Sequence, residues 1–152
     1  MEVTERPDGV TVVNDAYNAN PESMAAALHT LVDIGGGRRT WAVLGEMREL
    51  GAGAATHHDA VGRLAVRLGV DRLVVVGREA RAMHLGAGLA GGGGTESAFV
   101  PDATAAVRLL DAEVVPGDVV LVKASRAAGL ERVAMALLEP PPRLPRVDGP
   151  ES

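Results

Sequence analysis

Three short stretches of this chain gather side chains able to do polar chemistry, and each follows a run of apolar residues. Asp15-Ala16-Tyr17-Asn18-Ala19-Asn20-Pro21 comes after the β-branched run Val10-Thr11-Val12-Val13 and before Glu22-Ser23. Proline fits the first helical turn, where its missing N–H leaves no bond unmade. The stretch therefore reads as a strand-to-helix turn that presents an acid, a phenol and two amides at the carboxyl end of a strand, which is where open α/β sheets bind ligands. Gly45-Glu46-Met47-Arg48-Glu49-Leu50-Gly51 follows a second apolar strand and sets three charges between glycines. Lys123-Ala124-Ser125-Arg126 follows a third, with Leu130-Glu131 just beyond.

Each stretch also has a plainer reading. Asp15 suits an Asx turn, Tyr17 suits the rim of a sheet, and Asn18 or Asn20 suits a left-handed turn position. Lys123, Ser125 and Arg126 fit a solvated connection as well as a site. Three charges bracketed by glycines straight after a buried strand are poorly placed to enter a core, which favours a site for Glu46, Arg48 and Glu49. His57 and His58 lie near a predicted helix start with Asp59 next, but no third ligand sits at metal-binding spacing. They read as surface residues of a first helical turn, as do His29 and His84.

The elements that must position these side chains alternate along the chain. Glu2–Arg6 and Gly9–Val13 flank Pro7-Asp8-Gly9, a turn signal, so the chain opens on a β-hairpin. Helix is predicted over Pro21–Ile34, with Met24, Leu28, Leu31 and Val32 on one face and Gly35-Gly36-Gly37 as its stop. A strand at Thr40–Leu44, a helix at Thr56–Leu68, a strand at Leu73–Val76 and a helix at Glu79–Leu89 follow. After a Gly91–Gly94 connector come a short strand at Ala98–Val100, a helix at Asp102–Leu110 with Asp102 as N-cap, a strand at Val119–Val122 and a helix at Gly129–Leu138. Strands alternating with helices imply right-handed crossovers and a mostly parallel sheet. The predicted fold is α/β, a Rossmann-like three-layer domain with helices on both faces of that sheet and an N-terminal β-hairpin. Residues 1–138 form this domain, and Pro140, Pro141, Pro142 and Pro145 mark residues 139–152 as a disordered tail.

Bulk properties narrow the function classes. At 152 residues the chain is one ordinary domain, and with aromatics at 2% its core must be built from Ala, Val and Leu. The absence of cysteine removes disulfides and thiolate chemistry. A net charge of −5 with no Lys/Arg run argues against nucleic acid or an anionic membrane as partner. No apolar stretch reaches the roughly 18 to 20 residues of a membrane span, and the polar start is no signal peptide, so a cytoplasmic location is expected. Neither a G-x-x-x-x-G-K-[ST] loop nor a G-x-G-x-x-G after a strand is present, so the chain cannot cradle a triphosphate alone.

In this order and spacing the three polar stretches resemble the C-terminal domain of the Mur ligases, in the branch that adds D-alanyl-D-alanine to UDP-N-acetylmuramoyl-tripeptide. The likeness covers about residues 2 to 138. The D-x-Y-N-A-N-P turn is its most specific element, the G-E-M-x-E-L-G loop nearly as specific, and K-x-S-R weak alone. Ala124 stands where family members often carry glycine. The resemblance implies an ATP-dependent ligase of peptidoglycan precursor synthesis, in which ATP activates the tripeptide's terminal carboxylate as an acyl phosphate and the dipeptide amine attacks it. It further implies that Asp15 contacts the ATP ribose, where a carboxylate suits two vicinal hydroxyls, and that Tyr17 flanks the nucleotide. Asn18, Asn20, Glu46, Arg48, Glu49, Lys123, Ser125 and Arg126 then serve the substrates, the cations and the hydroxyl suiting a dipeptide's carboxylate and amide.

In such a ligase the phosphate loop, the Mg2+ ligands and the UDP-binding region belong to two preceding domains. This chain is then expected to hold no catalytic residue or metal ligand, to be inactive alone, and to close as a lid over the acyl phosphate. The family's arginine contact to the phosphates would fall just before residue 1, which implies that Met1 marks a cut inside a longer protein. Two alternatives stand beside this reading: a non-catalytic Rossmann-like module for a nucleotide or protein, and the equivalent domain of a related ligase such as folylpolyglutamate synthase, which the asparagine-rich turn disfavours.

Overall fold

The computed structural model of the chain describes residues 1–16, 18–91 and 94–139. Tyr17, part of the glycine connector and the proline-rich tail of the sequence reading lie outside them. Six strands form one sheet: β1 (Glu2–Glu5), β2 (Thr11–Asp15), β3 (Thr40–Leu44), β4 (Arg72–Val76), β5 (Glu96–Val100) and β6 (Val119–Lys123). Five helices accompany it: α1 (Pro21–Gly35), α2 (Ala54–Arg67), α3 (Arg81–Ala90), α4 (Ala103–Glu113) and α5 (Glu131–Leu138). β1 pairs antiparallel with β2, giving the expected hairpin, and every other pairing is parallel.

The spatial order is β1-β2-β6-β3-β4-β5. The loop after β3, which chain order alone would set beside the loop after β2, is separated from it by β6, which hydrogen-bonds to both β2 and β3. Local pattern identifies strands but carries no record of which strand is inserted where. The strand residues alternate between two cores. Val13, Ala42, Leu44, Leu73, Val75, Val119 and Leu121 pack with α1, α2 and α3, while Val12, Trp41, Val43, Val74, Val120 and Val122 pack with α4 and α5. With both faces covered, the central strands β3, β4 and β6 carry apolar residues at consecutive positions rather than at every second one.

The amino edge of the sheet is pinned by one buried carboxylate. Asp118, immediately before β6, accepts from Trp41 Nε1 at 2.9 Å, from Arg39 Nε at 3.1 Å and Nη2 at 2.9 Å, and from the Val115 N–H at 3.1 Å. The hydrogen bond to Asp118 lifts the Arg39 guanidinium above its usual value, against the opposing effect of its burial. The guanidinium carbons of Arg72 and Arg39 stand 4.3 and 5.1 Å from the Trp41 ring centre, cation–π contacts on the chain's one tryptophan.

The helices α2 and α3 approach more closely than any side chain would allow. A Cβ at Gly62 would meet the Met83 carbonyl oxygen at 1.9 Å, and one at Gly86 would meet the Asp59 carbonyl oxygen at 2.5 Å. These atoms are backbone, so no rotamer change relieves the clash. Gly62→Ala should therefore lower unfolding stability by about 3 kcal/mol, the upper end for overpacking. Gly88, in the same α3, has no neighbour within 4 Å of such a Cβ. There Ala should stabilise by roughly 0.5 to 1 kcal/mol, the helix-interior preference over glycine. Paired denaturation curves check both signs, and equal effects at the two positions would refute the close-approach argument.

Candidate functional site

The carboxyl ends of the parallel strands gather the polar stretches along one edge. Connections from β2 and β3 run to α1 and α2 on one face, whereas β6 between them runs to α5 on the other. Neighbouring strands whose connections part to opposite faces leave a crevice, the usual ligand position of an open α/β sheet.

Asp15 closes β2 and sits in register with Lys123, which closes β6. Lys123 is 2% exposed, and its Nζ donates to Asp15 Oδ2 at 2.5 Å and to the Asn18 carbonyl at 2.9 Å. The sequence reading took Lys123 as a loop cation after the last strand; it is the final strand residue, buried because β6 is central. Asp15 keeps its side chain 23% exposed, and its Oδ1 lies 4.0 Å from the Met1 ammonium. Asn18 itself is exposed.

Asn20 is the N-cap of α1. Its Oδ1 accepts from the Ser23 N–H at 2.8 Å while Ser23 Oγ accepts from the Asn20 N–H at 3.1 Å, a reciprocal capping pair of the kind that contributes about 1 kcal/mol. The left-handed turn position expected of an asparagine is not found at either described one. Among the described non-glycine residues Glu49 takes that conformation, with φ 63°. Glu49 and Arg48 are exposed on the β3–α2 loop, and Glu46 is half-buried.

Two contacts lock that loop to the one after β6. The Ser125 N–H donates to the Glu46 carbonyl at 2.8 Å, and the Gly45 N–H donates to the Lys123 carbonyl at 3.0 Å. A Cβ on Gly45 would stand 2.8 Å from that of Ala124. Of the two adjoining positions, one must then lack a side chain, and here Gly45 does. Arg126 is exposed, whereas Ser125 is 7% exposed with its Oγ buried and unpartnered. Glu131 Oε2, six residues on, is the other buried side-chain oxygen or nitrogen without a partner among the described residues.

A cleft of 300 Å³ adjoins this edge, lined among others by Glu46, Gly77, Glu79, Asp102, Gly129 and Arg132. Larger hollows of 510 and 500 Å³ border Arg78 and Phe99, and Leu85 and Leu89; none of the three is lined by Asp15 or Lys123, and only the 300 Å³ cleft reaches a predicted site residue, Glu46. Size alone therefore does not mark the site. No three His, Cys, Asp or Glu side chains come together at metal-binding distance among the described residues.

The sequence reading missed His58. Far from the surface, it is 2% exposed, with Nε2 accepting from the Met47 N–H at 2.9 Å and Nδ1 at 2.7 Å from the Ala54 carbonyl. Because Met47 must donate, the ring proton sits on Nδ1. The signal was available: His58, Val61 and Ala65 share the buried face of α2. His84 is also half-buried, 2.7 Å from Ser97 Oγ, while His29 and His57 are exposed as expected.

The family model described as "Mur ligase, glutamate ligase domain" matches residues 1–126. The chain belongs to the Mur ligase family. Over 91% of its length it is 54% identical to the UDP-N-acetylmuramoyl-tripeptide--D-alanyl-D-alanine ligase of Mycobacterium leprae and 56% identical to that of Mycobacterium tuberculosis H37Rv. It spans 29% and 30% of these curated relatives. Among solved structures, MurF ligase from Thermotoga maritima in complex with ADP superposes with a TM-score of 0.69 at 30% identity, covering 88% of this chain and 29% of that one. A MurF structure from Acinetobacter baumannii gives 0.71 at 28% identity, with 90% and 29% covered. In this Mur ligase domain the fold expected from the sequence is the one observed.

His58→Phe keeps the ring volume but leaves the buried Met47 N–H without an acceptor, a loss of about 1 to 3 kcal/mol. Chemical denaturation measures it. A variant within about 0.5 kcal/mol of the parent would mean that the Gly45–Leu50 loop reorganises freely.

Proposed function

We propose that this chain is the third domain of the ligase that joins D-alanyl-D-alanine to UDP-N-acetylmuramoyl-tripeptide, with residues 1–138 as the domain and 139–152 as its tail. ATP activates the tripeptide's terminal carboxylate as an acyl phosphate, and the dipeptide's amine displaces the phosphate to form the new amide. The observation that carries the reading is the Asp15 carboxylate at the carboxyl end of β2, part-exposed and held by a buried ammonium. The high identity to two ligases of that name and the likeness to an ADP complex support it.

On this reading the vicinal ribose hydroxyls donate to Asp15, and Tyr17 flanks the base. Arg126, exposed, takes the dipeptide carboxylate as a bidentate donor, and the orphaned Ser125 Oγ meets its amide. Glu46, Arg48 and Glu49 border the same substrate, and Asn18 with the Asn20 amide nitrogen contacts it from the β2 side. The phosphates and magnesium are held by the central domain, which with the N-terminal domain is this chain's physical partner. Closure of the lid excludes water from the acyl phosphate, whose hydrolysis would waste ATP. The need for ATP places the enzyme in the cytoplasm.

In the full-length ligase, Asp15→Ala should raise the KM for ATP more than that for the dipeptide, since charge-assisted hydrogen bonds of about 1.5 to 3 kcal/mol are lost. An unchanged ATP constant in a folded variant would return Asp15 to a turn-forming role.

The β6 loop is tested separately. Arg126→Ala should weaken the dipeptide and leave ATP nearly alone, and Ser125→Ala should do less, about 1 kcal/mol. Steady-state kinetics with each substrate varied in turn decides. Equal weakening toward both substrates would point to defective closure instead.

A further inference from the structure

We infer that Lys123 is a positioning residue for the nucleotide: it sets the Asp15 carboxylate for the ribose rather than binding the dipeptide. The inference rests on the ribose contact proposed for Asp15. Lys123 Nζ has two partners on two sequence-distant elements, the Asp15 side chain and the Asn18 main-chain carbonyl. One ammonium thereby grips both the acid and the turn that follows it.

Three observations separate this from a packing role and from a substrate contact. Lys123 is 2% exposed and its ammonium is already engaged by the Asp15 carboxylate and the Asn18 carbonyl, so its charge is committed before a dipeptide arrives. An apolar side chain would fill the same space without the penalty of burying an ammonium, and buried pairs often stabilise no more than apolar replacements do. The pairing is also asymmetric: among the described residues Oδ2 of Asp15 takes a hydrogen bond and Oδ1 takes none, its nearest charge being the Met1 ammonium at 4.0 Å, while the side chain stays 23% exposed. Anchoring one oxygen narrows the rotation of the carboxylate and leaves the other without a competing hydrogen bond among the described residues. A ligand meeting a preset acceptor loses less freedom on binding than one that must order it.

The test compares ATP with 2′,3′-dideoxy-ATP, which lacks both hydroxyls, as equilibrium dissociation constants in the full-length ligase. The parent should prefer ATP by about tenfold or more, the value of a charge-assisted hydrogen bond. Asp15→Ala should bring that ratio near one, and Lys123→Met should lower it at least threefold while the dideoxy analogue binds nearly as before. A merely structural lysine would weaken both nucleotides alike and leave the ratio at its parental value, which would overturn the inference. If Asp15→Ala collapses the ratio and Lys123→Met keeps it, only the role of Lys123 fails. If Asp15→Ala also keeps it, or the parent shows no preference, the ribose contact itself fails. Lys123→Gln, a neutral side chain that retains a donor, is read by the same ratio should the Met variant not fold.

Discussion

The last strand of the chain lies in the middle of its sheet, and most of the structure depends on that insertion. β6 hydrogen-bonds to β2 on one side and to β3 on the other, with Lys123 opposite Asp15 and Leu44 at once. Without β6 the hairpin and the β3–β5 ladder would be two unconnected fragments. β2 must therefore wait for a strand 108 positions further on before the sheet is continuous, a long-range closure that slows folding. The same geometry shapes the candidate site, since a central strand whose connection leaves by the opposite face opens a crevice beside it.

The two ends of this central strand are fastened in different ways. At the amino end main-chain bonds from Thr11 to the Asp118 carbonyl and from Val119 to the Arg39 carbonyl are reinforced by the Asp118 side chain, with its indole, guanidinium and main-chain donors. At the carboxyl end two main-chain bonds bind the β6 loop to the β3 loop, and Lys123 adds a charged tie to β2. Main-chain bonds hold a loop in place while leaving its side chains available. An edge that must receive ligands benefits from that arrangement, and an edge that only closes the core does not need it.

Legibility followed the range of the interaction. Elements set by neighbouring residues were readable: the hairpin, the Pro21 helix start, the Asp102 cap, and strands whose apolar runs mark burial on both faces. What required knowledge of distant partners was not. Lys123 looked like a loop cation because its partner is 108 residues away, and β3 looked adjacent to β2 because the strand between them comes last. Asn20 was read for its chemistry, although its position just before Pro21 made it a cap. His58 was the avoidable miss, because it lies one turn before Val61 on the apolar face of α2.

The single indole has a practical consequence. Trp41 is fully buried beneath two guanidinium groups with its N–H bonded to a carboxylate, in the first half of β3. Its fluorescence is thus a spectroscopic beacon for one spot of the domain, free of overlap from any second indole. Loss of the sheet would expose the ring to water and shift its emission to the red. Events confined to the carboxyl edge, at the far end of the strands, would leave it dark to change, so the colour of this protein's light reports integrity and not occupancy.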